Sequence, residues 1–160
     1  MERNLDSRTK QSSIGRKLEM GLVLTGGFLN TVVAVLFGAQ QAASPGTPWQ
    51  NLFPFPLLYL IEIIALSYLA LLPLLREEPG GESSGRTPAL IWISAGGLLA
   101  FVILGGFSIG FYLIPGMLAF VIAGIMADRR QDLSLTGHVG LMFLAASIQA
   151  AIMLIVVNWF

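Results

Sequence analysis

Residues 89–127 read ALIWISAGGLLAFVILGGFSIGFYLIPGMLAFVIAGIMA, an apolar run with no charged residue. At about 1.5 Å rise per residue, one helix over this run would be roughly 58 Å long, nearly twice the ~30 Å hydrocarbon core of a bilayer. Gly105-Gly-Phe-Ser-Ile-Gly110 lies at its middle. A glycine-rich break there divides the run into two spans, about 89–107 and 109–127, joined by a very tight hairpin. That division sets the parity of the whole chain. Three further apolar runs, about 20–42, 52–75 and 137–160, bring the expected total to five, so the two termini fall on opposite sides of the membrane.

The basic residues test this threading. All nine Lys and Arg fall outside the spans: Arg3, Arg8, Lys10, Arg16 and Lys17 in the N-terminal tail, Arg76 and Arg86 in the second connection, Arg129 and Arg130 in the fourth. The first and third connections carry none. Positive charge accumulates on the cytoplasmic side of membrane proteins, so the pattern predicts a cytoplasmic N-terminus and a C-terminus outside. The expected fold is an all-α membrane protein, a bundle of five transmembrane helices over residues 20–160 preceded by a basic tail over residues 1–19.

Composition agrees. The chain is 55% hydrophobic and 11% charged, against about 25% charged for ordinary soluble domains. Its mean hydropathy is +0.77. With no cysteine and a single histidine, His138, the chain has no disulfide, thiolate metal site, cysteine nucleophile or multi-histidine centre of its own. A cleaved signal peptide is the rival reading of the first span, with Ala39-Gln-Gln-Ala-Ala-Ser44 near its end. The apolar run exceeds the roughly 7–15 residues of a signal h-region and no Ala-x-Ala closes it, so a retained span is preferred.

Aromatic rings are expected at the interfaces: Trp49, Phe53, Phe55, Tyr112, Trp159 and Phe160 at the outer ends, Trp92 near the inner end of the third span. Small residues recur one turn apart: Gly26, Asn30, Ala34 and Gly38 in the first span, Ala119, Ala123 and Ala127 in the fourth, Ala146 and Ala150 in the fifth. Such stripes allow close backbone approach and read as helix-packing seams. Pro73 weakens the second span near its end. Pro115 lies inside the fourth and reads as a tolerated kink, with a broken, carbonyl-exposing helix as the alternative.

Glu62 is the one ionisable residue well inside an expected span. A charge at mid-depth costs about 2.5–3.5 kcal/mol on insertion scales, so an acid placed there requires an explanation. Asn30 and Gln149 fall near the same plane, flanked by Thr31 and Ser147, and a midplane network of Glu62, Asn30 and Gln149 is expected. It reads equally as a proton or cation site, as polar glue between helices, or as a contact to another subunit or a cofactor.

Other signals are weaker. Gly124-x-x-x-Asp128-Arg129 is similar to the first half of the loop motif of major facilitator transporters, but the second half is missing and five spans are too few; Arg129 and Arg130 read as orientation charges. His138 reads as a polar boundary residue. Glu77, Glu78 and Glu82 lack calcium-loop spacing. Nucleophile elbows, Walker loops and HExxH are missing from the chain, so no catalytic residue or enzymatic activity is expected. The expected partners are the lipid bilayer and other membrane subunits or further copies of the chain, not nucleic acid.

The stretch Gly106-Phe-Ser-Ile-Gly-Phe-Tyr-Leu-Ile-Pro-Gly116 resembles a hairpin of small bacterial multi-pass membrane proteins, in which a Gly-rich turn leads into a helix with an early Pro. The resemblance covers the third and fourth spans and carries no function. It implies a bacterial inner-membrane location. The expected role is an accessory or scaffolding subunit of a larger membrane complex, with a small oligomeric proton- or cation-coupled transporter or channel built on Glu62 as the alternative.

Overall fold

The computed structural model describes residues 2–46, 55–76, 86–106 and 108–159. Its regular elements are all helical: α1 Glu2–Ala42, α2 Phe55–Leu69, α3 Leu72–Arg76, α4 Arg86–Leu104, α5 Gly110–Gln131 and α6 Leu135–Trp159. Three stretches are long and apolar enough to cross a membrane: Ile14–Ala42, Gly110–Gln131 and Leu135–Val156. Two shorter apolar helices, Pro56–Leu69 and Pro88–Leu104, pack among them. Large apolar side chains point outward on every long helix, Phe28, Leu36, Phe111, Leu144 and Leu154 among them. In water that surface would be costly, at roughly 25 cal/mol for each Å² of apolar area, whereas lipid solvates it without penalty. This is a membrane protein with transmembrane helices.

Two elements depart from the sequence expectation. The basic tail is not separate from the first span, because α1 runs unbroken for 41 residues from Glu2. The second apolar run is two helices. Its ladder breaks at Ala70–Leu71, where the Leu71 N–H turns back to the Tyr68 carbonyl at 3.0 Å. Pro73 has no N–H to offer the Leu69 carbonyl, so the α-helical ladder cannot continue through it.

The α4–α5 hairpin is as tight as the glycines predict. Gly105 N–H bonds to Phe101 O at 2.8 Å, and Ser108 N–H and Gly110 N–H both reach Gly105 O, at 2.8 and 2.7 Å. A side chain on Gly110 would lie 2.6–2.7 Å from the backbone of Gly105 and Val102. α5 continues through Pro115 without a break, which removes the basis for a broken helix there. Phe107 lies outside the described residues.

The small-residue stripes divide their work. Gly26 faces the Gly116 carbonyl and the Phe120 ring of α5, so that a side chain there would meet both at 2.9 Å, and Gly38 faces Leu60 of α2. Ala34, Ala123, Ala127 and Ala146 are buried, while Ala119 and Ala150 are half-buried. A further seam, not read from the sequence, is built on α4. Gly96 lies against the Met142 backbone of α6 so closely that an added methyl would overlap its carbonyl oxygen, and Gly97 faces Leu66 of α2.

Candidate functional site

The connection after α5 builds one polar cluster. Asp132 adopts the left-handed conformation (φ 53°, ψ 39°), and the N–H groups of Asp132 and Leu133 both return to Asp128 O. Ser134 then opens α6, its Oγ accepting the Gly137 N–H at 3.4 Å. This cap-and-restart turns the chain within a few residues and sets His138 beside Asp128.

Asp128 is 1% exposed. Its Oδ2 accepts the Trp92 indole N–H at 3.0 Å, and its Oδ1 lies 2.7 Å from His138 Nδ1. The imidazole approach is a close contact rather than an aligned hydrogen bond. Gly124, one turn before Asp128, leaves room for the indole: a side chain there would meet the ring at 2.9 Å. Beside this, Arg130 Nε donates to Oε1 of the fully buried Glu19 at 3.0 Å. Arg16 Nη2 donates to the Leu74 carbonyl at 3.3 Å. The cluster therefore gathers the basic end of α1, α3, the start of α4, the end of α5 and the start of α6.

These contacts correct three sequence expectations. Trp92 is not an interfacial anchor but a buried ring donating to Asp128. Arg130 is more than an orientation charge, since it neutralises Glu19. His138 is not merely a boundary residue. The signal was present: Glu19 and Asp128 each abut an apolar run, and Gly124 with Asp128 presents a gap and an acceptor on one helix face.

The expected midplane network is reduced to a pair. Gln149 Nε2 donates to Glu62 Oε1 at 2.7 Å, joining α6 to α2. Asn30 is not part of it. Its side chain is fully buried against Gly116 of α5, and neither amide atom has a hydrogen-bond partner among the described residues. Thr31 and Ser147 bond to carbonyls of their own helices, Gly27 and Phe143. The helical period explains the separation: Asn30 follows the stripe that packs on α5, whereas Glu62 faces α6.

At the end opposite the basic cluster lies a cavity of about 280 Å³, walled by α1, α2, α4, the hairpin and α6. Phe37, Tyr59 and Phe101 supply rings, and Gln41 and Ser108 supply polar groups. The Tyr59 and Phe101 rings meet edge to face at 6.0 Å between centroids. Tyr59 and Met153 place the cavity roughly one helical turn beyond the Glu62–Gln149 pair, about 4.5–6 Å along the helices at 1.5 Å per residue. Among the described residues no group of three or more His, Asp or Glu could hold a metal. Trp49, Phe53, Phe160, Glu77, Glu78 and Glu82 lie outside the described residues, and the side chains of Phe55 and Trp159 likewise.

No family model matches the chain, and neither a curated protein nor a solved structure does. What the chain does must be argued from its own geometry.

Proposed function

We propose that this chain is an accessory or scaffolding subunit of a larger membrane assembly in a bacterial inner membrane, threaded five times with its N-terminus in the cytoplasm. The alternating directions of the helices support the threading. Arg16, Arg130 and His138 gather at one end, and Phe37, Pro56, Phe101 and Met153 at the other. α2 and α3 together supply the length that α2 lacks alone.

The observation that carries the subunit reading is the placement of Glu62. It is half-buried on a flank where Leu58, Ile61, Ile148 and Ile152 are exposed. Gln149 satisfies one carboxyl oxygen, and among the described residues no second hydrogen bond reaches the group. Lipid solvates the leucines and isoleucines but not a carboxyl, so a neighbouring subunit with a donor at that depth is the natural cover. Extraction from the native membrane in mild detergent, followed by mass measurement of the intact complex, tests this. A stoichiometric partner that is lost on Glu62→Leu is expected. A monomer with nothing attached would sink the reading.

A second reading, a small oligomeric cation- or proton-coupled transporter, is favoured by the cavity next to Glu62. Flux into liposomes that disappears with Glu62→Gln is its expected result; unchanged flux removes Glu62 from any such role.

A further inference from the structure

We infer that the α2–α6 flank receives a membrane-spanning helix of a different chain, and that this helix carries one lysine or arginine near mid-depth, which pairs with Glu62. The inference rests on the subunit reading and narrows it, from any donor to a cation and from any neighbour to one of another sequence.

The flank is a gap between helices. α2 and α6 each pack on α4 but scarcely on each other, and the bond from Gln149 Nε2 to Glu62 Oε1, 2.7 Å long, reaches across. Leu58 and Ile61 on one bank and Ile148 and Ile152 on the other are each about half exposed. Leu58 and Ile152 lie one turn from Glu62 and Gln149, on the same helix faces. A helix laid along the gap covers these apolar side chains and the carboxyl together.

The carboxyl selects the chemistry of that helix. An amide such as Gln149 bonds an acid but brings no charge to offset a carboxylate. Lysine or arginine brings both, and acidic and basic side chains inside membranes pair with one another. A second copy of this chain cannot supply the cation. Its helices hold their basic residues at their ends: before Met20 in α1, Arg76 closing α3, Arg86 opening α4, Arg129 and Arg130 closing α5, and His138 in the first turn of α6. His138 stands roughly 16 Å from Gln149 along α6, at 1.5 Å per residue. A copy docked through its own α2–α6 flank would set acid against acid.

The probe is a synthetic membrane-spanning peptide of about 20 leucines and alanines with one central lysine. Two comparison peptides carry glutamine or leucine in its place. Association with the whole chain in zwitterionic liposomes is read by energy transfer between labels. The lysine peptide should bind at least fivefold more tightly than either comparison, and Glu62→Gln should abolish that preference. A peptide with the lysine moved two turns toward one end should bind no better than the leucine peptide. A lysine peptide no tighter than the glutamine peptide overturns the inference, as does a preference that survives Glu62→Gln. Self-association of the chain that Glu62→Gln abolishes overturns it too. Should that variant fail to fold, the comparison of peptides on the unaltered chain still decides. Mass measurement of the native complex keeps the two claims apart. A partner that is lost on Glu62→Leu, yet has no basic residue in its spans, overturns this inference and leaves the subunit reading standing. A chain recovered alone removes that reading, and this inference with it.

Discussion

Asp128 and Glu62 are both carboxyl groups set among apolar helices, and the fold treats them in opposite ways. Asp128, at the basic end, is closed off, with an indole N–H on one oxygen and an imidazole against the other. Glu62, mid-helix on the α2–α6 flank, is half-buried and has a single amide donor. At a helix end, several segments converge and each can bring a donor. Halfway along a bundle only neighbouring helix faces are available, and those faces are mostly apolar. An acid completed by its own chain is a structural tie, whereas an acid left incomplete invites something from outside.

The strongest challenge to this contrast is Asp128→Ala. It strands the Trp92 N–H in an enclosed site and removes the group that faces His138, so the loss of a hydrogen bond to a carboxyl plus an unsatisfied buried donor should cost about 3 kcal/mol or more. Reversible denaturation in mixed micelles should show that loss; a change below about 1 kcal/mol would mean the cluster is not a tie. Trp92→Phe removes one donor but keeps a ring beside Gly124, so a loss of about 1.5–3 kcal/mol, as for a hydrogen bond to a charged group, is expected in the same assay. Combined with Asp128→Ala the two effects should be clearly less than additive, since both remove the same bond.

Asn30 provides a third kind of buried polar group, enclosed yet without a partner. Asn30→Ala should therefore be neutral or stabilise by up to about 1 kcal/mol, because it removes an unsatisfied amide as well as packing. A loss above about 2 kcal/mol would reveal a partner for the amide and sharpen the difference between α1 and α2. The smallest effect lies in the turn that serves the Asp128 cluster. Asp132 holds a left-handed conformation that glycine adopts freely. Asp132→Gly should raise stability by roughly 0.5 kcal/mol, read as a small rise in melting temperature.

The hairpin and the seams were legible to different degrees. Gly105, Gly106 and Gly110 announce a reversal within an apolar run too long for one helix, and the backbone bonds follow. Gly26 and Gly38 lie on one stripe of α1, yet one faces α5 and the other α2, because a long helix meets successive neighbours along its length. The Gly96–Gly97 pair was missed as a seam: adjacent residues point in different directions, so each serves another helix and no stripe forms. The Glu62–Gln149 pair excludes Asn30 for a related reason. Asn30, Glu62 and Gln149 share a depth, but depth is a matter of counting residues, and facing depends on how each helix is rotated in the bundle.

The sequence by itself determined the class, an all-helical membrane protein, and the hairpin break at Gly105–Gly110, because apolar length and glycine breaks act locally along the chain. It also marked Glu62, the one ionisable residue well inside an apolar run. Only the tertiary structure decided the partners: Gln149 for Glu62, Trp92 and His138 for Asp128, Arg130 for Glu19, Gly116 beneath Asn30. Those pairings depend on which helix faces turn toward each other, and packing of the whole bundle sets that rotation.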